Sequence, residues 1–319
     1  MKQRPRLFFL LPFLALALVA GAFMLPSTAH AAAASKVLKS NPRFMWAKGH
    51  TPKSGGPTNS NLTYHGGPVM AGKMQVFAIF WEPDGTFVSS TYNQLLKRYF
   101  RDVGGSSLYE NNEQYTATGS TAPLNANLMN TWKDETPYPS NPISDADIQN
   151  EVAHAMSVNG WQPGITHMFF VYTTKNEIVC TGPSPADCSD PVGGFCAYHS
   201  AFGTVAAPVI YGAMPYDGTD LAGCYGLSSS PNHDADADAE INTTSHEQIE
   251  AATDPIFNGW FGVNGGSDEI GDKCNFLFGP LNADGSDVSF NGHPYVVQQE
   301  WDNTAPGCVL SGPTNETTD

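Results

Sequence analysis

The sequence predicts an α/β fold in which helices are layered on a mixed sheet, with disulfide-stabilised loops in its C-terminal half. Three observations carry this. Two near-continuous apolar runs suit strands buried on both faces, helical stripes lie between them, and all six cysteines fall after residue 179.

The chain opens with Lys2, Arg4 and Arg6, an apolar run from Leu7 to about Met24, and Ala29-His30-Ala31. This is the layout of a secretory signal, residues 1–31, cut after Ala31. The run is short for a membrane span, and no other stretch approaches the roughly 20 residues a span needs. A soluble, exported protein is expected, with no membrane attachment after cleavage. Loss of the leader takes the formal charge from −16 to −19. That excludes nucleic acid held through phosphate contacts and favours cations or basic partners.

Residues 32–62 are polar without an apolar period and read as a flexible N-terminal segment. A single α/β domain is expected over 63–311, with 312–319 as a tail. Lys73–Trp81 is the first buried strand. Ser89 or Ser90 caps the helix that follows, whose stripe of Tyr92, Leu95, Leu96, Tyr99, Phe100 and Val103 stops at Gly104-Gly105. Residues 113–120 read as a strand and the Asn-, Pro- and Thr-rich stretch up to Pro142 as a loop. Ser144-Asp-Ala-Asp147 marks a second helix start, with Ile148, Val152, Ala155 and Met156 as its apolar side. His167–Tyr172 is another buried strand. Ala207–Pro215 is a third, placed at an edge by its flanking prolines. The chain then reaches a helix around His246, a loop-rich region to Asn291, and a last strand over His293–Trp301.

An even cysteine count in an oxidising compartment predicts disulfides. Local loop closure favours Cys180–Cys188, Cys196–Cys224 and Cys274–Cys308. No C-x-x-C pair supports a cysteine zinc site.

The chemistry concentrates in Ser245-His-Glu-Gln-Ile-Glu250. On a helix His246 and Glu250 share a face and Glu247 sits beside them. This is the H-E-x-x-H layout of zinc peptidases with glutamate in place of the second histidine, and it makes the expected fold zincin-like. His246 and Glu250 then hold a divalent metal, Glu247 acts as general base, and the loop Ser267-Asp-Glu-Ile-Gly-Asp272 supplies a further acid. Glu269 has the downstream spacing of a ligand, with Asp272 to orient one. Zinc is the expected metal, although one histidine among carboxylates also suits harder cations. A peptide is the expected partner of such a site. The plainer reading makes these residues an ordinary polar helix face near the surface.

His199 and His167 could reach a metal from a distance, but each reads first as a structural histidine. The acidic run Asp234–Glu240 alternates like a calcium loop. It lacks the glycine and the closing glutamate of an EF-hand, so a looser calcium site competes with acids drawn to a helix N-terminus. No G-x-S-x-G supports a serine hydrolase. Asn61, Asn242 and Asn315 begin glycosylation sequons.

Several stretches together carry a resemblance. Tyr64-His-Gly-Gly-Pro-Val-Met70 precedes the Val76–Trp81 strand. Phe195-Cys-Ala-Tyr-His199 follows, then Ser245–Pro255 with Gly259-Trp260 and Glu269-Ile-Gly-Asp-Lys-Cys274, and finally Asn291 to Cys308. Over roughly 64–310 the chain resembles the exordium, or phosphate-induced protein 1, family of secreted plant proteins and their microbial relatives. The resemblance implies an extracellular or wall location and a site around His246. It also keeps open a non-catalytic wall or matrix protein whose acidic site is structural or binds calcium. The alanine-rich leader has a bacterial look.

Overall fold

The computed structural model describes residues 36–50 and 56–312. The signal segment, the sequon at Asn315 and most of the expected tail lie outside these residues. The described residues form a mixed α/β structure around one seven-stranded sheet. Its strands are β1 (Val37–Leu38), β2 (Arg43–Trp46), β3 (Gly72–Trp81), β4 (Pro123–Asp134), β5 (His167–Tyr172), β6 (Phe195–Thr204) and β7 (Ala207–Met214). The order is β1-β6-β7-β5-β3-β4, with β2 also on β6. Pairing is parallel from β7 through β5 and β3 to β4, and antiparallel where β6 meets β7, β1 and β2.

Three long helices cover the sheet: α1 (Tyr92–Asp102), α2 (Asp145–Asn159) and α3 (Ala235–Thr253). Strand alternation assigns the faces. Val76, Ala78 and Phe80 of β3, with Met168, Phe170 and Tyr172 of β5, pack with α1 and α3. Phe77, Ile79 and Trp81, with Phe169 and Val171, pack with Ile148, Val152 and Ala155 of α2. Each fully buried apolar side chain contributes roughly 1.5–3 kcal/mol, so both faces contribute to stability. Among the described residues no helix is long and apolar enough to cross a membrane.

The strands at 73–81 and 167–172 and the stripe of α1 fall where the pattern puts them. Thr91 rather than Ser89 or Ser90 precedes α1. At α2, Ser144 accepts from the Asp147 amide while the Asp147 carboxylate accepts from the Ser144 amide, a complete capping box. All three disulfides join the expected cysteines, Cys180–Cys188, Cys196–Cys224 and Cys274–Cys308. They fit an oxidising compartment.

Other expectations are corrected. Residues 113–120 are not a strand: Asn111–Gln114 is a 3-10 turn, and the strand is β4, inside the stretch read as a loop. β4 lies at the sheet edge with only Pro123, Ala126 and Asp134 buried, so its polar residues hide any period. β7 is interior, because Pro208 sits beside the β6–β7 turn and pairing with β5 begins only at Ile210. β6 itself lacks a plain alternation and carried no strand signal. Within the segment read as flexible, the described residues 43–46 pair with β6 as β2, and Met45 is buried. The final strand divides into His293–Tyr295 and Glu300–Asp302, each in its own two-stranded sheet. The acidic run is no loop: Asp234 caps α3 and Asp236 and Asp238 lie in its first turn, favourable charges at that end of the dipole. Asn242 is buried within α3 and its sequon inaccessible, whereas Asn61 is exposed.

Candidate metal centre

α3 has an unusual composition for a helix buried on all sides. From Ala237 to Thr253 every residue is buried, among them Glu240, Asn242, Ser245, His246, Glu247, Gln248 and Glu250. A helix polar all round normally faces solvent. Here the surface-face reading of His246, Glu247 and Glu250 is overturned, since all three are 0 % exposed.

The i,i+4 spacing brings His246 Nε2 to 3.1 Å from Glu250 Oε1. The 269–274 loop closes over them. The Asp272 amide donates to Glu250 Oε1 at 3.0 Å, and the Glu269 amide donates to Asp272 Oδ2 at 3.2 Å. Gln298 Nε2 donates to the Gly271 carbonyl at 3.0 Å, and Cys274–Cys308 fastens the loop's end. Gly271 must be glycine, because a Cβ there would stand 2.8 Å from His246 Nδ1 and 3.1 Å from Glu250 Oε1.

His199 arrives from the sheet. It lies between Ala197 and Ala201 on the face of β6 turned to α3, where small neighbours allow close approach. Its Nδ1 is 3.1 Å from Glu247 Oε2 and 3.6 Å from Glu250 Oε2. Its Nε2 is 4.0 Å from Glu269 Oε1. The other Glu247 oxygen accepts from the Met45 amide of β2 at 3.2 Å. Sequence spacing makes Glu269 the ligand nearest His246 with Asp272 behind it. The structure instead groups Asp272 with His246 and Glu250, and Glu269 with His199 and Glu250; within each group the donor atoms lie within 4.8 Å of one another. Glu250 belongs to both, one oxygen turned to each histidine.

Two sequence candidates lie elsewhere. His167 packs against Phe77 with its ring nitrogen 2.6 Å from the Gln162 carbonyl. Asp268 pairs with Lys273 at 2.6 Å and accepts from Thr58. One acid was missed: Glu300 is 0 % exposed, Gln298 is its one side-chain hydrogen-bond partner and only a long one, and the field of His246 and Glu250 reaches it. Only its position between Gln298 and Trp301 could have drawn notice.

Electrostatics describe a cluster short of positive charge. Burial raises the pKa of Glu269, Asp272 and Glu300, and the Glu250 charge adds to it. Burial also raises that of Glu247, against the opposing pull of His199. Burial works against a charged His246, but Glu250, Glu247 and Asp272 outweigh it and raise its pKa. Glu250 moves down because His246 outweighs burial. His199 Nε2, His246 Nδ1, Glu250 Oε2 and both Glu269 oxygens are buried without hydrogen bonds. Such orphaned donors and acceptors, two imidazoles among carboxylates, fit a divalent cation.

Arg43, opposite His199 in the β2–β6 pairing, reaches toward Glu269 with Nε 3.8 Å from Oε2 and stacks on Phe257. Arg43 also lines a cavity of about 560 Å³, with Phe44, Trp46, Phe195 and Asn264. Arg43 therefore touches both the buried cluster and the open cavity.

No model of a known protein family matches the chain, and no curated protein is similar to it.

Proposed function

We propose that this is a secreted, zincin-like protein with a divalent-metal centre on α3 that hydrolyses a peptide or amide bond. The observation that carries the reading is the convergence of His246, Glu250 and Asp272, with His199 and Glu269 beside them, as buried groups of which all but Asp272 have unpartnered ligand atoms. Zinc is the metal that this donor set and the H-E-x-x-E layout favour. A bound cation would supply Lewis acidity at a substrate carbonyl and at water. Glu247 takes the proton from the attacking water, and His199, 3.1 Å away, stabilises its charge. The substrate, a peptide or a cell-wall component, approaches from the cavity beside Arg43. The resemblance to the exordium family supports the extracellular setting.

The complete burial of the cluster favours a second reading, a structural metal in a non-catalytic wall or matrix protein. Metal analysis of purified wild type beside His246→Ala tests the shared premise. Wild type should carry about one zinc more than the variant; equal metal in both sinks the centre. Glu247→Gln then separates the readings. An enzyme loses about 10²–10⁴-fold of its turnover on a peptide library while keeping its metal, whereas a structural site loses none.

A further inference from the structure

We propose a second divalent-cation site, built by Asp134, Glu151 and His154 on the opposite face of the sheet from α3. Glu151 and His154 stand three residues apart on α2 and so share a side of the helix. Asp134 is the last residue of β4 and meets them at the sheet edge. His154 Nδ1 lies 3.5 Å from Asp134 Oδ2 and 3.7 Å from Glu151 Oε2. The donor atoms of the three residues all fall within 4.8 Å of one another. Ligands bound at about 2.0–2.2 Å to one ion stand roughly 3.0–3.6 Å apart, so only slight closure completes the set.

Burial supplies the independent argument. Asp134 and Glu151 are each 4 % exposed, and Glu151 Oε1 has no hydrogen bond. Two carboxylates so placed need a proton or a cation between them. The Asp134 side chain is held by its own turn, where the Thr136 amide and hydroxyl donate to it at 2.9 and 2.7 Å. That is the outer support expected behind a ligand carboxylate. The His154 side chain is 45 % exposed, which gives an ion a path from solvent, and the ring meets Trp132 edge-on. One imidazole with two carboxylates suits a first-row divalent ion such as zinc or manganese.

The test compares full-length mature protein, chelator-treated, with its His154→Ala and Glu151→Gln variants by equilibrium dialysis against zinc. Circular dichroism confirms that each folds, and the exposure of His154 makes its variant the safer one. Wild type should retain one zinc more than either variant. The reading is a difference between proteins that share α3, so it holds whether or not the α3 centre takes metal. Equal uptake by all three overturns the site and leaves a proton shared by the two carboxyls. Loss in Glu151→Gln alone, with His154→Ala unchanged, overturns the three-ligand set.

Discussion

α1 and α3 pack on the same face of one sheet, yet they are built on opposite terms. α1 buries Tyr92, Leu95, Leu96, Tyr99 and Phe100, and its one buried acid, Asp102, accepts from Tyr295, His293 and Asn291. α3 buries histidine, glutamates, glutamine and asparagine, many with unpartnered atoms. Apolar burial stabilises a fold directly, whereas buried polar groups without partners cost about 1–3 kcal/mol each. α1 thus helps to offset what the buried polar interior of α3 costs.

Substitutions can break this contrast. Phe100→Ala should cost about 3–5 kcal/mol in urea unfolding, the usual loss for a buried aromatic ring. A cost under about 1 kcal/mol would place the structural burden elsewhere. Beside α3 the loss should vanish. Glu300→Leu in chelator-treated protein removes a carboxyl that burial and the Glu250 charge hold toward its neutral form, and should leave stability nearly unchanged. A clear loss would mean that the carboxyl is partnered in solution.

Proton linkage sharpens the contrast further. Glu269, Asp272 and Glu300 have raised values, so the folded protein keeps protons that the unfolded chain has released. In chelator-treated protein the contribution of these three acids to stability should therefore be full below the ordinary carboxyl range, and should be lost as pH climbs from about 4 toward the raised folded values. Saturating zinc should remove that part of the slope. Glu177, raised by burial from 4.5 to about 7 and outside either proposed centre, should keep its own decline across that window with zinc present. Glu177→Gln should lessen that decline, leaving the share of Glu240 and Asp287, which burial also raises. The smallest effect calibrates the rest: Ser144→Ala removes the cap of α2 and should cost about 1 kcal/mol, with metal content unchanged.

The legible parts of this fold are those where one pattern decides the structure. β3 and β5 are buried on both faces and read as apolar runs, and α1 carries a plain stripe. β4 could not be read that way, because an edge strand paired through its backbone needs no apolar face. β2 escaped notice because its place depends on β6, some 150 residues later. At the candidate centre, helical spacing alone joined His246 to Glu250. The approach of His199 and Glu300 depends on tertiary packing, and no spacing rule contains it. Nor did composition betray the depth of α3, since a helix so polar ordinarily marks a surface.

The Cys274–Cys308 bond has a consequence for maturation. Cys274 ends the turn begun by Asp272, and Cys308 lies on the strand paired with the one that carries Glu300. One covalent link therefore fixes acids from two distant segments against His246. If the cluster takes the proposed metal, oxidation would come before its capture, and export would then be a step in assembly rather than mere delivery. Protein made in a reducing cytosol should be recovered poor in metal, and should take it up only after oxidative refolding.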